Sequence, residues 1–497
     1  MDVGTSGVKA VAFAPGSSWR RVAIREYALL EPAPGRLVQD PDAIVRATAS
    51  ALAECSAAVG TAEVLAVSVS TAMHGLIALD ADHVPLTPLI TWADSRATEE
   101  ASELHRSGRA AELHRLTGCP AHPMTPLVKL VWFARHDPAT WAAARWWVGL
   151  KEYLLWWLTG RLVTELSSAS ASGLLDMSTR DWSPVALAVS GADADRLPPI
   201  LPTTSTLPLA SGTAREVGLP PGTAVVVGAA DGPLSNLGTG ALARGEAGLS
   251  LGTSGAVRVA VDEPEVDVTG GLFCYALTDS VWVAGGATSN GGGVVRWAGR
   301  SLAPDVVAAA GDEGPDAAVL DLASAVPAGS EGLVMLPHLV AERAPLWEPN
   351  LAGAWLGLGG RHTRAHLVRA AVEGVCLQMR LLLDRVDTLA PVTSVRATGG
   401  VFRSALWREV MAAALGRPLH LVGDAEGTAR GAAALALFAL GEAATLTAAG
   451  AQFGAEDVSP PVPTDPGLVA VYDRLRASVP GLVDSLARAA RGFTPPG

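Results

Sequence analysis

The hydrophobic and polar positions of this chain follow two spacings, and each spacing predicts a different kind of element. Short apolar runs rich in valine and alanine, such as residues 64–70 and 223–230, predict buried strands. Longer segments with apolar residues three and four positions apart, such as residues 41–59 and 364–386, predict helices that pack on one face. Because the two patterns alternate along the chain, the sequence predicts an α/β fold.

A tryptophan-rich stretch at residues 141–160 is the richest candidate for a membrane span. Arg145, Lys151 and Glu152 interrupt it, so the stretch predicts a buried helix instead. The N-terminal residues do not resemble a signal peptide. We therefore expect a soluble protein with no membrane partner.

Breaks in the pattern indicate how the chain is divided. Residues 196–223 are rich in proline, threonine and serine and predict a segment that crosses the surface before the second half begins. Beyond Gly441 the apolar pattern weakens, and residues 458–467 predict a loop before one last helix. The predicted division is an N-terminal domain, a C-terminal domain and, within the latter, a C-terminal extension: residues 1–230, 231–497 and 441–497.

The tetrapeptide Gly-Thr-Ser-Gly occurs twice, at Gly4–Gly7 and at Gly252–Gly255, which is 252 − 4 = 248 residues later in a chain of 497. Each copy lies between two strand-like runs and so predicts a hairpin. Glycines beside two hydroxyl residues let backbone N–H groups approach an anion. One copy alone is more typical of an ordinary turn. The second copy favours two similar domains that grip a polyphosphate between them.

Composition narrows the possible partners. The formal net charge of −12 argues against nucleic acid, because proteins that bind a phosphate backbone need a basic face. The four cysteines are scattered, with neither the density of a disulfide scaffold nor the pairing of a zinc site. This cysteine usage is typical of the reducing cytoplasm.

Lysine is rare in this chain. Of 37 lysines and arginines, three are lysines (Lys9, Lys129 and Lys151), so 37 − 3 = 34 are arginines. Such a chain can retain lysine where a compact ammonium group serves better than a planar guanidinium. Three lysines can also persist by chance, and composition alone leaves both interpretations open.

Two carboxylates stand at positions that suit phosphate chemistry. Asp2 precedes the first hairpin loop and could hold Mg²⁺, while the loop N–H groups and Lys9 face phosphates. Asp231 follows a predicted buried strand, at the end where α/β sheets bind ligands. It could accept a proton from an attacking hydroxyl. Because Pro233 follows it, Asp231 could equally begin a helix.

Three longer segments resemble motifs of one family. Residues 124–136 are similar to its first signature, residues 332–358 to its second signature, and residues 397–410 to its adenosine-binding loop and helix. The matching residues in the two signatures are Lys129, Trp132, Pro337, Glu342, Arg343, Pro345 and Trp347. The chain thus resembles the FGGY carbohydrate kinases from Asp2 to about Leu437. This resemblance implies two actin-like, ribonuclease-H-like domains with a cleft between them, and ATP and Mg²⁺ as cofactors.

The same resemblance implies a role for each candidate residue. Asp2 would bind Mg²⁺, and Asp231 would be the general base. The nucleotide would be bound by Thr5, Ser6, Lys9, Gly252, Thr253, Gly291, Gly399, Gly400 and Ser404. The sugar would be bound by Met73, His74, Trp92, Asp94, Arg96 and Lys151.

Within the family, residues 73–80, 90–96 and 167–176 look most like the members that phosphorylate gluconate on its terminal hydroxyl to give 6-phosphogluconate. Many relatives carry an aspartate where this chain has Ser168, and its absence would spare an acid substrate from a like charge. Lys151, Arg96 and His74 are the candidates for binding the carboxylate. The substrate is expected to be a sugar acid or polyol, and the sequence allows a homodimer without requiring one.

Several alternatives stay open from the sequence. Xylulose or another pentulose or polyol would also suit Met73 and His74. An actin-like ATPase would turn over ATP without sugar, and an inactive sugar sensor would bind sugar without forming ADP. Only Met1 precedes Asp2, whereas relatives have several apolar residues there. Either the start is assigned too late, or the first strand is short and a positive α-amino group pairs with Asp2 and weakens metal binding.

Overall fold

The computed structural model describes residues 1–60, 63–311, 314–340, 342–347, 351–423, 426–454 and 460–490. Its contacts divide the chain into two compact units. Unit 1 comprises Met1–Leu242, Ala260–Ala284 and Ala425–Ala455; unit 2 comprises Ala243–Val259, Gly285–Asp424 and Glu456–Gly497. Strands and helices alternate in both, so the prediction of two α/β domains is confirmed. The domain boundary at residue 230 stays a prediction.

The strands are short and number consecutively along the described chain. They are β1 (Asp2–Val3), β2 (Gly7–Phe13), β3 (Arg20–Glu26), β4 (Leu30–Ala33), β5 (Arg36–Gln39), β6 (Ala66–Thr71), β7 (Ile77–Leu79), β8 (Leu89–Ile90), β9 (Trp146–Val148), β10 (Thr164–Glu165), β11 (Leu175–Asp176), β12 (Asp181–Trp182), β13 (Ile200–Leu201), β14 (Thr206–Pro208), β15 (Ala224–Ala230), β16 (Glu246–Leu251), β17 (Gly255–Val261), β18 (Phe273–Thr278), β19 (Val281–Thr288), β20 (Val334–Leu336), β21 (Ala354–Leu356), β22 (Ser394–Thr398) and β23 (Leu419–Leu421).

The helices of the described residues alternate with these strands along the chain. They are α1 (Pro41–Val59), α2 (Thr98–Arg106), α3 (Arg109–Thr117), α4 (Pro126–His136), α5 (Pro138–Ala143), α6 (Leu150–Thr159), α7 (Leu166–Ser170), α8 (Pro184–Ser190), α9 (Ser211–Val217), α10 (Asp231–Gly238), α11 (Gly292–Leu302), α12 (Pro304–Ala310), α13 (Pro315–Ser324), α14 (Arg364–Leu389), α15 (Ala405–Leu415), α16 (Gly427–Ala439), α17 (Leu446–Ala451) and α18 (Pro466–Ala490).

The sheet of unit 1 has six strands in the order β14-β15-β6-β1-β2-β3. β1 pairs antiparallel with β2 and parallel with β6, and β6 pairs parallel with β15. Val67 and Val69 of β6 and Val225 and Val227 of β15 are buried and pack with Leu155 and Leu158 of α6. Because three parallel strands lie side by side, their carboxyl ends meet at one edge of the sheet.

The second large sheet repeats this plan, with strands in the order β18-β19-β17-β16-β22-β23. Here β16 pairs antiparallel with β17 and parallel with β22, and β22 pairs parallel with β23. In each sheet, then, a hairpin supplies the central strand and two later strands join it in parallel. The shared topology accounts for the repeat of Gly-Thr-Ser-Gly at half the chain length.

Two sequence predictions of regular structure are confirmed closely and one is wrong. Helix α1 covers residues 41–59 as predicted, and α14 covers 364–386 and continues to Leu389. Residues 141–160 do not form one helix. β9 separates α5 from α6 because Trp146–Val148 pairs antiparallel with Ile77–Leu79, and Gly149 then adopts an extended conformation before α6 begins. Pairing with a buried strand outweighs the helical spacing of the apolar residues.

The segment 196–223 is also more ordered than a surface crossing. It contains β14, which pairs antiparallel with β15 at the edge of the sheet, and then α9. At the C-terminal end, α18 is the predicted last helix, and Val462 in the predicted loop forms a bridge with Leu419. Residues 458–459 of that loop, and residues 455–459 and 491–497 of the predicted extension, lie outside the described residues.

All four cysteines are buried free thiols. Burial raises the pKa of Cys119 and of Cys274 to about 12. Among the described residues, no helix is long and apolar enough to cross a membrane.

Candidate functional site

The carboxyl edge of the unit 1 sheet brings two predicted carboxylates to one place. In the paired strands, Asp2 of β1 and Ala229 of β15 both lie beside Ser70 of β6. Asp231 follows two residues after Ala229, at the first position of α10. Neighbouring strands lie about 4.8 Å apart, so β1 and β15 are separated by about 10 Å. Asp2 and the strand that leads to Asp231 are therefore two strand spacings apart along one edge of the sheet.

The first Gly-Thr-Ser-Gly loop joins β1 to β2 as predicted. The N–H of Gly4 donates to the carbonyl of Gly7 at 3.0 Å, and the hydroxyl of Tyr27 donates to the carbonyl of Gly4 at 2.5 Å. Across the hairpin, Asp2 lies directly opposite Lys9. A carboxylate and an ammonium group thus share one face next to a loop with exposed Ser6.

Burial is the main influence on the charge of Asp2. It raises the pKa of this carboxyl, whereas the α-amino group, Lys9 and the hydroxyl of Ser70 act in the opposite direction. The α-amino group donates to the carbonyl of Ser68 at 2.8 Å, and burial lowers its pKa to about 6. Burial thus opposes the positive charge that the predicted pairing of the α-amino group with Asp2 requires.

A hydrogen bond links the phosphate loop to a predicted sugar segment. The indole Nε1 of Trp92 donates to the hydroxyl of Thr5 at 2.8 Å. The side-chain amide of Gln39 donates to the carbonyl of Thr5 at 2.7 Å. Two residues assigned from the sequence to different ligands, Thr5 to the nucleotide and Trp92 to the sugar, are thus in direct contact.

Met73 and His74 follow the carboxyl end of β6 and are half-buried. His74 has a left-handed backbone conformation, with φ of 66°, and its Nδ1 lies 2.8 Å from the carbonyl of Ala171. Because a carbonyl can only accept, Nδ1 is the donor. In the neutral ring Nε2 is then an acceptor suited to a sugar hydroxyl.

Lys129 links the predicted sugar segments through hydrogen bonds to their backbone carbonyls. Its side chain is fully buried, and Nζ donates to the carbonyls of His74 at 2.6 Å and of Thr91 and Met124 at 2.8 Å. Burial lowers the pKa of Lys129 to about 7, and Asp94 opposes this shift. This lysine of the first signature therefore holds the segments that start at Thr71 and Thr91 in one arrangement.

Asp94 and Arg96 form a buried ion pair next to Trp92. Arg96 donates through Nε and Nη2 to the two carboxylate oxygens of Asp94, at 2.8 and 2.9 Å. The guanidinium also lies 5.1 Å from the ring centre of Trp132, one of the two matching residues of the first signature. A cation over an indole face is stabilised by the ring quadrupole. The pair is rigidly placed, and its contact with sugar stays a prediction.

Lys151 is a fully buried member of the predicted sugar residues. Its Nζ donates to the carbonyls of Val227 and Ala229 at 3.0 Å, and also to the carbonyl of Val69. Glu165 lies 3.8 Å from the same nitrogen. Burial lowers the pKa of Lys151 to about 8, with Glu165 the main opposing influence. Its predicted contact with the substrate stays untested.

The second Gly-Thr-Ser-Gly loop, in unit 2, packs against the start of α11. The N–H groups of Gly291 and Gly292 donate to the carbonyls of Thr253 and Gly252, at 3.0 and 2.7 Å. A Cβ on Gly291 would lie 2.7 Å from the backbone of Ser254. Glycine is needed here because the two backbones approach each other too closely for a side chain.

A cavity of about 890 Å³ adjoins this loop in unit 2. Four residues assigned from the sequence to the nucleotide, Gly252, Thr253, Gly400 and Ser404, line it. Gly399, the residue before Gly400, has a φ of +128°, a conformation that other residues rarely adopt. Ligand pockets typically have volumes of about 300–1,000 Å³, so this cavity is large enough for a nucleoside.

The arginines of this cavity were not among the residues predicted from the sequence. Arg296, Arg300 and Arg403 line it, and Nη2 of Arg296 donates to the hydroxyl of Thr253 at 2.5 Å. Helical spacing could have revealed the first two, since Arg296 and Arg300 follow Gly292 at intervals of four residues and share one face. The cavity thus combines neutral glycine backbone with guanidinium groups that suit phosphates.

Residues of the second signature form hydrogen bonds with the segment that leads into α11. The buried carboxylate of Glu342 accepts hydrogen bonds from Thr288 and Asn290, both at 3.0 Å. Arg343 donates to the carbonyl of Thr288, also at 3.0 Å. These contacts fix the residues that lead into Gly291. Ala341 and residues 348–350 of this signature lie outside the described residues.

The protein would supply only some of the ligands of a magnesium ion. Among the described residues, no group of three or more histidine, cysteine, aspartate or glutamate side chains could hold a metal. Mg²⁺ usually binds through one or two carboxylates together with substrate phosphates and water. Asp2 is the carboxylate predicted for this mode of binding, which does not need an all-protein cage, and its contact with Mg²⁺ stays a prediction.

Comparison with known proteins agrees with this geometry in both halves. Residues 1–238 match the N-terminal domain, and residues 247–440 the C-terminal domain, of the FGGY family of carbohydrate kinases. Gluconokinase of Bacillus subtilis is 36% identical over 447 residues, which is 89% of this chain and 87% of that protein.

Two solved structures from Lactobacillus acidophilus, described as a gluconate kinase and as a ligand-bound xylulose kinase, each superpose with a TM-score of 0.93. Each is 31% identical and covers 99% of both chains. The expected actin-like, ribonuclease-H-like fold is thereby confirmed, while the fold does not distinguish between the two sugars. Because both of its halves match, the chain belongs to the FGGY family of carbohydrate kinases, which are phosphotransferases that use ATP to phosphorylate a sugar hydroxyl.

Proposed function

We propose that this enzyme is a gluconate kinase, which transfers the γ-phosphate of ATP to the terminal hydroxyl of D-gluconate. The observation that carries the proposal is the 36% identity with a gluconokinase of Bacillus subtilis, against 28% with the xylulose kinase of the same organism. Both alignments span about nine tenths of the chain. Ser168 supports it, because a hydroxyl at this position adds no negative charge to a cavity lined by Met73 and His74.

In the proposed mechanism, Asp231 is the general base. It accepts the proton of the sugar hydroxyl as the oxygen attacks the γ-phosphorus, and general-base catalysis of this kind contributes about 10²- to 10⁴-fold. The half-buried position of Asp231 at the end of β15 leaves it within reach of a substrate. A carboxylate with this role must be aimed accurately, since misplacement by about 1 Å can cost 10²-fold in rate.

Residues of both hairpin loops are proposed to contact the phosphates of ATP. They are Thr5, Ser6 and Lys9 at the first loop, and Gly252 and Thr253 at the second. Gly291, Gly399, Gly400 and Ser404 would shape the nucleotide pocket. Mg²⁺, held by Asp2 with the phosphate oxygens, would neutralise charge that develops during transfer.

The sugar is proposed to bind along Met73, His74, Trp92, Asp94 and Arg96. Trp92 offers an apolar face to carbon–hydrogen groups while its Nε1 stays bonded to Thr5. His74 and Arg96 are the proposed partners of the substrate carboxylate.

A substrate panel tests the proposal. ADP formation is measured with purified enzyme, ATP and Mg²⁺ in the presence of gluconate, xylulose, ribulose, glycerol or no sugar. We expect kcat/KM for gluconate to exceed that for xylulose by about tenfold or more, because the site discriminates through buried polar groups.

Other outcomes would point to the alternatives. A preference for xylulose would identify a pentulose kinase, which the ligand-bound xylulose kinase structure from Lactobacillus acidophilus favours. ATP hydrolysis that is independent of sugar would indicate an ATPase. Sugar binding without ADP formation would indicate a sensor.

A further inference from the structure

The strand that leads to Asp231 is irregular. β15 pairs with β6 up to Val226 and Ser68, and the pairing resumes at Ala229 and Ser70, so β15 carries one extra residue. Gly228 lies at this bulge with φ of +80°, and a Cβ there would overlap the carbonyl oxygen of Val69. A bulge bends its strand and redirects the residues that follow. This bulge lies three residues before Asp231.

A buried ammonium group occupies the break in the strand pairing. Lys151, the second residue of α6, is 2% exposed, and its Nζ donates to three carbonyl oxygens at the bulge. Two of them belong to β15, at Val227 and Ala229, and the third to β6, at Val69. The protonated amine has three N–H donors, one for each carbonyl. A guanidinium, which is planar, cannot direct three donors to converging acceptors in this way.

Neighbouring groups extend this arrangement to the end of the strand. Glu165 lies 3.8 Å from Nζ of Lys151 and accepts hydrogen bonds from the N–H groups at the start of α7. In that helix, the hydroxyl of Ser167 accepts from the N–H of Ala230 at 3.2 Å. Ala230 is the residue directly before Asp231. The bulge and the last residue of β15 are therefore held by one buried network.

We propose that Lys151 is a positioning residue for phosphoryl transfer, which holds the bulge of β15 and thereby fixes the position of Asp231. This inference rests on the proposed role of Asp231 as general base. It differs from a direct contact with the substrate carboxylate, because the three N–H groups of Lys151 point to backbone carbonyls.

The test combines single and double variants with the sugar that the wild-type enzyme uses best. Lys151→Met removes the three donors, and Lys151→Gln, which retains amide donors, serves if the methionine variant does not fold. We expect kcat to fall by about 10- to 10²-fold, since the base is displaced, while KM for sugar and ATP changes by less than about threefold. The fraction of folded enzyme is measured as the stoichiometry of ATP-analogue binding.

The decisive comparison is made in the Asp231→Asn background. If Lys151 acts through Asp231, the double variant Asp231→Asn/Lys151→Met has the same kcat as Asp231→Asn alone. Lys129→Met is the matched control, because Lys129 is also fully buried and also bonded to carbonyls, but at the sugar segments. Its effect is expected to add to that of Asp231→Asn.

Three results would overturn the inference. An increase in KM for sugar with unchanged kcat would make Lys151 a substrate contact. Additive losses in the Lys151 double variant would reduce it to general stabilisation. Unchanged kinetics would remove any role. Near-normal turnover of Asp231→Asn, by contrast, would reject the proposed base itself, so the two failures are distinguishable.

Discussion

The two Gly-Thr-Ser-Gly hairpins have the same loop sequence but different strand registers. In the first hairpin Val3 pairs with Val8, so four residues form the loop. In the second, Leu251 already pairs with Gly255, so three residues form it. The hydrogen bonds within the loops show the same difference. The N–H of Gly4 donates to the carbonyl of Gly7 in the first hairpin, and the N–H of Gly252 donates to the carbonyl of Ser254 in the second.

The surroundings of each loop account for this difference. Side chains of Tyr27 and Gln39 bind the carbonyls of the first loop. Backbone N–H groups of Gly291 and Gly292 bind those of the second. A shift of one residue changes which side chains face each other. Identical loop residues therefore do not fix a hairpin, and the packed neighbours decide its register.

The register has a chemical consequence. It places Lys9 opposite Asp2 in the first hairpin, but Ala256 opposite Ser250 in the second. The first loop thus has a carboxylate and an ammonium beside it, whereas the second has the guanidinium of Arg296 on Thr253. We infer that the first hairpin carries the metal-dependent part of phosphate binding and the second holds the nucleotide.

Of the differences between the two loops, the residues that precede them should affect the rate most. Asp2→Asn should lower kcat by about 10²- to 10³-fold, the usual cost of removing one preorganised electrostatic group, and should raise the Mg²⁺ concentration needed for half-maximal rate. The matched variant Ser250→Ala should lower kcat by less than about tenfold. Steady-state rates over a range of Mg²⁺ concentrations measure both. Similar losses of kcat in the two variants would contradict the inferred difference between the two hairpins.

A second difference lies in the cation beside each loop. Arg296→Met should raise KM for ATP by about 10- to 10²-fold, because a hydrogen bond to a charged group is worth about 1.5–3 kcal/mol. Arg300→Met, one helical turn further along α11, should have a smaller effect. Initial rates at varied ATP concentration provide the measurement. An unchanged KM for Arg296→Met would show that the second loop does not depend on this guanidinium.

The last glycine of each loop offers a test of packing. A Cβ on Gly7 would lie 2.7 Å from the backbone oxygen of Arg25, whereas a Cβ on Gly255 would meet the side chains of Leu251 and Met379, which can move. Gly7→Ala should therefore lower the free energy of unfolding by about 1–3 kcal/mol, and Gly255→Ala by less. Urea denaturation followed by fluorescence compares them. The reverse order would contradict the packing argument.

The smallest expected effect concerns the bond between Trp92 and Thr5, which links the first loop to a sugar segment. Trp92→Phe removes the donor and keeps an aromatic face, so KM for gluconate should rise by about two- to tenfold, equivalent to a hydrogen bond of about 0.5–1.5 kcal/mol. Trp156→Phe is the control, because this indole packs against His83 and Tyr153 and not against the sugar segments. No change in KM for Trp92→Phe would separate the loop from sugar binding.

Much of the fold was predictable because its signals are local. The helix at residues 41–59 has both an apolar stripe and the capping residue Asp40, whose side chain accepts from two N–H groups of the first turn. The two hairpins were predictable from repeated glycines, and Asp231 from its place after an apolar run. These features depend on a few neighbouring residues.

The remaining features depend on residues far apart in the sequence. The strand at Trp146–Val148 forms because it pairs with Ile77–Leu79, some 70 residues earlier. The bulge at Gly228 exists only relative to the register of β6. The hydrogen-bond partners of Lys151 could therefore not be predicted from the segment around it. That segment indicated only that a lysine was retained there.

The most direct test of the account is the turnover of Asp231→Asn with gluconate and ATP. We expect kcat to fall by about 10²- to 10⁴-fold, while the affinity for an ATP analogue, measured by calorimetry, stays within about threefold of wild type. Turnover close to the wild-type value, with intact nucleotide binding, would contradict the assignment of Asp231 as the base.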